Sequence, residues 1–206
     1  MYVPNITARD AAIILGVNRF QTMWNLLEQK IERKYPFVGN KFTEHGNKYE
    51  KTALQMFQKK LGIDIKTEND TIYHPEFPWI TGRVDGYTET NEIVEIKCPW
   101  SRGFPKTRID QVPIEYWVQC QMYMHMTRTA RAYYVEYHVR PGSPLDGSAG
   151  CLLYTTIDRN DDWWSNTIPK LCSFYEQLQY WSEKGSLDEH PARIAERNWS
   201  NQVSGL

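Results

Sequence analysis

The sequence has little that would place this chain in a membrane or outside the cell. No apolar stretch approaches the roughly 18 residues that a transmembrane helix needs. The opening residues, MYVPNITARD, lack the basic and apolar regions of a signal peptide. We therefore expect an intracellular, cytoplasmic protein without membrane association.

Cysteine is also scarce, and its arrangement excludes the common metal clusters. None of the four cysteines forms a Cys-x-x-Cys pair, and their spacing fits neither zinc nor iron–sulfur sites. We expect reduced thiols that serve mostly as small buried apolar groups. They are Cys98, Cys120, Cys151 and Cys172.

The net charge of the chain does not indicate a nucleic-acid partner. Its 24 basic and 25 acidic residues give a formal charge of −1. A global basic field is therefore excluded, and any surface that binds phosphates must be local. This balance weighs against non-specific coating of DNA, but it allows a basic cleft.

What is present fits one globular domain. The chain has 206 residues, of which 41% are hydrophobic, and it shows no internal repeat, low-complexity tract or linker. We predict a single domain over residues 1–206, with its core at about 40–184 and a loosely held polar tail over 185–206. The order of helices and strands predicts an α/β fold with a central mixed β-sheet flanked by helices.

Periodicity and end signals predict the individual elements. Glycines after apolar helical patterns, such as Gly62, mark helix ends. The predicted helices are Ala8–Leu15, Thr22–Lys34, Glu44–Leu61, Ile114–Met126 and Asp161–Lys184. The predicted strands are Ile63–His74, Ile80–Tyr87, Ile93–Cys98, Ala132–Val139 and Cys151–Ile157.

One predicted hairpin, GRVDGYTETNEIVEIKCPW, carries charges among its apolar residues. Glu95 and Lys97 are two apart on a strand and share a face, and Asp85 can reach the same region. Two converging carboxylates suit Mg²⁺ or Mn²⁺, and a neighbouring lysine can hold water or stabilise a phosphate. From the spacing alone, a surface salt bridge between Glu95 and Lys97, with Asp85 in an Asp-Gly turn, is the favoured explanation. The metal hypothesis therefore needs support from elsewhere.

Two helices supply further candidates. Glu50 falls within the apolar arc of its helix, which predicts a buried carboxylate with either an arginine or a shared metal ion as partner. Gln119 and Tyr123 are four residues apart on an almost wholly apolar helix and share a face. Gln119 therefore either bonds the backbone or faces a catalytic cleft.

The segment SRGFPKTR follows the charged strand and carries three cations, Arg102, Lys106 and Arg108, which we call the basic loop. Most clusters of this size are solvated loop charge. Beside a metal site, the basic loop would be well placed to bind DNA phosphates.

Four motifs in order resemble one family of nucleases: ITARDAAIILG, HGNKYEKTALQMF, GRVDG…EIKCPWSRGFPKTR and VQCQMYM. Together they cover about residues 6–126. The hairpin motif resembles the core of the PD-(D/E)xK superfamily, and the whole set is similar to lambda-type alkaline exonucleases, the YqaJ-like viral recombinase family. The resemblance implies a restriction-endonuclease-like nuclease core and Mg²⁺-dependent 5′-to-3′ degradation of linear double-stranded DNA during recombination.

The resemblance also implies which residues hold metal. Asp85 and Glu95 would be ligands to one or two Mg²⁺ ions, for which Mn²⁺ can substitute, and the backbone carbonyl of Ile96 would assist. Glu50 would act at the metal directly or through water. The first acidic motif departs mildly from the family, since Val84 stands where the family has proline.

The remaining implied roles concern water and DNA. Lys97 would position and activate the attacking water, and Gln119 would support catalysis and the lysine. Tyr123 and the basic loop would lie against DNA. Arg9 stands where the family has serine, so it is the candidate ligand for the terminal 5′ phosphate.

The implied partners are double-stranded DNA ends, a single-strand annealing protein and, in a homotrimer, further copies of the chain. The implied location is the cytoplasm of a host or infected cell. Two alternatives stay open: a structure-specific or restriction-like endonuclease on the same core, and a non-catalytic DNA-end-binding recombination module.

Overall fold

The computed structural model describes residues 3–34, 38–67, 70–100 and 111–204. The strands are β1 (Ile6–Thr7), β2 (Ile65–Lys66), β3 (Ile72–Tyr73), β4 (Ile80–Gly82), β5 (Gly86–Thr88), β6 (Ile93–Lys97), β7 (Arg131–Val139) and β8 (Gly150–Asp158). The helices are α1 (Asp10–Ile14), α2 (Met23–Glu32), α3 (Lys41–Leu61), α4 (Ile114–Thr127), α5 (Asp161–Lys184) and α6 (Pro191–Ser204).

Two mixed β-sheets lie at the centre of the described part of the chain. The larger has the order β2-β5-β6-β7-β8, in which only the β6–β7 pair is parallel. The smaller has the order β1-β4-β3, with β1 and β4 parallel. The predicted mixed sheet flanked by helices is confirmed, and the second sheet is an addition that the sequence did not indicate.

Strand β6 is buried on both faces, because helices cover both sides of the larger sheet. Ile93 packs in the core that includes residues of α1 and α4. Val94 and Ile96 point the other way and pack with α3. This explains why the apolar residues of the strand fall on both of its faces.

The predicted strand Ile80–Tyr87 is wrong as a single element. Its two halves, β4 and β5, belong to different sheets, and residues 83–85 cross between them. The predicted strand Ile63–His74 likewise contributes β2 to one sheet and β3 to the other. Alternating apolar residues continue through both stretches, so periodicity alone did not show where the chain changes sheet.

Helix α3 has clear signals at both ends. The side chain of Asn40 accepts hydrogen bonds from the backbone N–H groups of Phe42 and Thr43, at 3.0 and 3.1 Å. Gly62 ends the helix in the left-handed conformation with φ of 68°. The predicted end is confirmed, and the helix begins three residues before the predicted Glu44, because Asn40 is its cap.

The predicted loose tail over residues 185–206 is wrong for most of its length, because Pro191–Ser204 forms α6. Arg193 donates hydrogen bonds of 2.8 Å to both Glu28 and Glu32 on α2. The indole N–H of Trp24 donates to Glu196 at 2.8 Å. These contacts hold α6 against α2, whereas the division into a single domain stays a prediction.

No helix in the described ranges is both long and apolar enough to cross a bilayer. All four cysteines are free thiols, as predicted, and Cys98 and Cys120 are buried.

Candidate active site

The candidate site lies at the edge of β6, where the pairing with β5 stops. Strand β5 begins at Gly86, which pairs with Val94 in antiparallel register. Asp85, the residue before Gly86, therefore lies beside the part of β6 that follows Val94. The Oδ2 atom of Asp85 accepts a hydrogen bond of 2.7 Å from the backbone N–H of Ile96. Because the N–H and C=O of one strand residue point to the same side, the carbonyl of Ile96 faces this edge as well.

Glu95 and Lys97 project together on the α4 side of β6, and the Lys97 ammonium donates to Oε1 of Glu95. Glu95 is only 1% exposed, and its Oε2 has no hydrogen-bond partner among the described residues. Burial raises the pKa of the Glu95 carboxyl to about 7, and the negative charge of Asp85 acts in the same direction. A buried carboxylate oxygen without a partner is costly, so this atom is poised to receive a cation.

Lys97 remains a cation in this setting. Burial by itself lowers the pKa of its ammonium, but the charges of Glu95 and Asp85 outweigh burial, and the pKa is raised above its ordinary value. The Nζ atom also lies 4.9 Å from the ring centroid of Tyr116, within cation–π range. Lys97 can therefore donate hydrogen bonds at neutral pH, but it cannot accept a proton.

Tyr116 is a site residue that the sequence analysis missed. It lies on α4 one turn before Gln119, and its ring stacks on Tyr134 with centroids 5.9 Å apart. Its place three residues before Gln119 was the available signal, because residues three apart share a helix face.

Glu50 does not have the buried position that its helical angle predicted, because its side chain is exposed. Helix α3 packs on the sheet face that carries Val94 and Ile96, opposite to the face from which Glu95 projects. Desolvation by the surrounding protein and the charge of Asp85 still raise the pKa of Glu50, so it lies near the mouth of the site. In the described ranges, no three acidic, histidine or cysteine side chains gather as a metal-binding group.

Arg9 lies near the same mouth. It is exposed at the start of α1, and its positive charge acts on Glu50, Glu95 and Lys97. Its role as a phosphate ligand stays a prediction. The basic loop falls outside the described residues.

Gln119 and Tyr123 are each 3% exposed and lie inside the protein. The side-chain amide of Gln119 donates to the Tyr123 hydroxyl at 2.9 Å, and that hydroxyl donates to the Arg83 carbonyl at 2.8 Å. Burial raises the pKa of the Tyr123 phenol. The expected contact between Tyr123 and DNA is therefore wrong for the side chain as placed, because its hydroxyl is used within the fold.

A second polar group on β7 lies beside the site and was not predicted. Glu136 pairs in register with Lys97 across the parallel strands. Tyr134 donates to Oε1 of Glu136 at 2.8 Å, and Nε2 of His138 lies 2.8 Å from Oε2 of the same carboxylate. Alternating polar residues in YYVEYH were the only sequence signal, and they also fit an ordinary strand.

Three solved structures described as exonucleases are similar in fold to this chain. LHK-Exo in complex with dAMP has a TM-score of 0.68 and 21% identity over 92% of this chain and 94% of the other. The alkaline exonuclease LHK-Exo from Laribacter hongkongensis has a TM-score of 0.66 and 20% identity over the same shares. A phage related exonuclease from Haemophilus somnus has a TM-score of 0.63 and 18% identity over 89% of this chain and 95% of the other. The chain thus has the alkaline exonuclease fold.

Two curated proteins are also similar, and neither is characterised. One, from Acanthamoeba polyphaga mimivirus, is 25% identical over an alignment of 137 residues, and the match covers 60% of this chain and 25% of that protein. The other, YqaJ from Bacillus subtilis, is 23% identical over 189 residues, which are 91% of this chain and 55% of that protein. The chain therefore spans between a quarter and about half of these relatives' lengths.

The family model of the YqaJ-like viral recombinase domain matches residues 3–130. That match covers more than half of the 206 residues, so the chain belongs to the family of YqaJ-like viral recombinase domains. The resemblance predicted from the four motifs is confirmed.

Proposed function

We propose that this chain is a Mg²⁺-dependent 5′-to-3′ exonuclease that hydrolyses linear double-stranded DNA in recombination. The observation that carries the proposal is the free Oε2 atom of Glu95, buried at a strand edge beside a second carboxylate and a protonated lysine. Such an arrangement is costly in a purely structural role and suits a site for a hard cation and a phosphate. The similar folds named as exonucleases support the same chemistry.

The donor set fits a divalent cation. Oε2 of Glu95, the carboxylate of Asp85 and the carbonyl of Ile96 are hard oxygen donors at one edge of β6, and Glu50 would join through water. We propose one or two Mg²⁺ ions, with Mn²⁺ as a substitute. A bound divalent cation supplies Lewis-acid polarisation of the phosphate and stabilises the charge that develops during hydrolysis.

The protein's own groups then position the reactants. The Lys97 ammonium has two N–H groups beyond its bond to Glu95, and they can orient a water and donate to a phosphate oxygen. Glu95 and Asp85 raise the pKa of the Lys97 ammonium in the metal-free protein, which supports a contribution by orientation and charge stabilisation. The Tyr116 ring packs against this ammonium and restricts where it can point.

Arg9 at the mouth of the site is our candidate for the terminal 5′ phosphate, and the basic loop is our candidate for the duplex backbone. A homotrimer, a single-strand annealing protein as partner and an intracellular location complete the proposal.

The test compares linear and covalently closed circular duplex DNA with Mg²⁺, for wild type and Lys97→Met. Lys59→Met is the matched control, because Lys59 is exposed on α3. We expect wild type and the control to degrade only linear DNA, and Lys97→Met to be inactive although folded. Full activity in Lys97→Met overturns the assignment. Nicking of closed circles would favour the endonuclease alternative, and binding without cleavage would favour the end-binding module.

A further inference from the structure

Residues 83–85 form a crossing between the two sheets, and this crossing places Asp85 in the candidate active site. It leaves β4 in the smaller sheet and enters β5 in the larger one. At its far end, Asp85 accepts the N–H of Ile96 at 2.7 Å. At its near end, the Arg83 carbonyl accepts the Tyr123 hydroxyl at 2.8 Å. The crossing is thus fixed at both ends by side-chain bonds rather than by the strand ladders.

The Tyr123 ring is also fitted to the start of the crossing. A Cβ atom added to Gly82 would come within 2.5 Å of Cε1 of Tyr123, so the ring occupies the space that any other residue at position 82 would need. The hydroxyl is oriented by Gln119, whose amide donates to it at 2.9 Å. Two consecutive hydrogen bonds therefore connect the Gln119 amide, the Tyr123 hydroxyl and the Arg83 carbonyl.

We propose that Tyr123 is a positioning residue, which acts through the Arg83 carbonyl to hold the Asp85 carboxylate against the amide of Ile96. Without the hydroxyl, the Arg83 carbonyl loses its donor, and the crossing is held only at the Asp85 end. Asp85 would then sample positions away from β6. The consequence for cation binding and hydrolysis rests on the proposed function, whereas the consequence for the Ile96 hydrogen bond does not.

The test uses Tyr123→Phe, which removes only the hydroxyl and keeps the ring against Gly82. The matched control is Tyr137→Phe. Tyr137 is fully buried, its ring would collide with a Cβ added to Gly150, and its hydroxyl has no partner among the described residues. Both variants remove one buried hydroxyl beside a glycine, but only the first touches the crossing.

The first readout is amide hydrogen exchange in the metal-free protein. In Tyr123→Phe we expect amide exchange at Ile96 to accelerate about tenfold relative to the core amide of Val135. The reason is that the lost hydrogen bond from Tyr123 to Arg83, of typical buried strength, no longer holds Asp85 against the Ile96 amide. Taking the ratio removes any loss of global stability. An unchanged ratio in Tyr123→Phe, or the same acceleration in Tyr137→Phe, would show that Tyr123 is only a core residue and would overturn the proposal.

The second readout is Mn²⁺ binding, followed by paramagnetic resonance of the free ion, together with hydrolysis kinetics. We expect Tyr123→Phe to bind Mn²⁺ about tenfold more weakly and to lose kcat, with KM for DNA unchanged. Wild-type Mn²⁺ affinity and kcat in Tyr123→Phe would count against the positioning role. If wild type itself neither binds Mn²⁺ nor cleaves DNA, the proposed function fails, and the exchange ratio alone decides the role of Tyr123.

Discussion

Replacing Glu95 with glutamine is expected to stabilise the metal-free protein while it removes activity. The carboxyl is 1% exposed, and its pKa rises from 4.5 to about 7 on folding. That shift corresponds to about 3 kcal/mol by which ionised Glu95 disfavours the folded state. Since the folded-state pKa is the higher one, the stability that the neutral Glu95 carboxyl contributes is fully present below pH 4.5. It is lost as pH rises through about 7.

Glutamine has nearly the same shape and stays neutral, so Glu95→Gln should not show this loss. At pH 8 with a chelator, the variant should exceed wild type in free energy of unfolding by up to about 3 kcal/mol, and the difference should shrink towards pH 5. With Mg²⁺ the difference in free energy of unfolding between the variant and wild type should narrow or reverse, because only wild type gains binding free energy. Urea unfolding across this pH range measures both effects. A variant that is less stable than wild type at pH 8 without metal would refute the reasoning.

Three further substitutions probe separate parts of the structure. Arg193→Ala should lower the free energy of unfolding by about 2 kcal/mol, less than for a fully buried pair because Lys34 also contacts both glutamates of α2. Thermal melts measure this loss, and Arg197→Ala, which breaks an exposed ion pair, is the control. Arg9→Ala should raise KM about tenfold for 5′-phosphorylated ends and leave KM for 5′-hydroxyl ends unchanged. Glu50→Gln should weaken Mn²⁺ binding only about tenfold, as expected for a residue that acts through water.

Each of these substitutions has a clear opposing outcome. Equal melting temperatures for the two arginine variants of α6 would mean that the ion pairs do not hold this helix. Equal effects of Arg9→Ala on both kinds of DNA end would remove its role as a phosphate ligand. Complete loss of Mn²⁺ binding in Glu50→Gln would make Glu50 a direct ligand.

Local chemistry explains what the sequence could predict. The alternation around Glu95 gave the strand, its two faces and the Glu95–Lys97 pair, because side-chain direction on a strand depends only on residue number. Gly62 gave the end of α3, because a left-handed backbone at a helix end favours glycine. The order of motifs gave the family, which the match over residues 3–130 confirms.

What the sequence could not predict depends on distant partners. The crossing at residues 83–85 accepts a hydrogen bond from Tyr123, which lies 40 residues along the chain from Arg83. Docking of α6 relies on Arg193 reaching Glu28, 165 residues away. Glu50 lies at the border of the buried arc of α3, and which side of that border is covered depends on the sheet packed below it.

The most direct test of the account uses linear duplex DNA that carries a different label at each 5′ and 3′ end, incubated with wild type and with or without Mg²⁺. The account predicts that the 5′ labels are released first as small products, only with Mg²⁺, and that closed circles stay intact. Release of 3′ labels first would contradict the proposed polarity. Internal cleavage, or no hydrolysis of DNA that is nevertheless bound, would contradict the exonuclease itself.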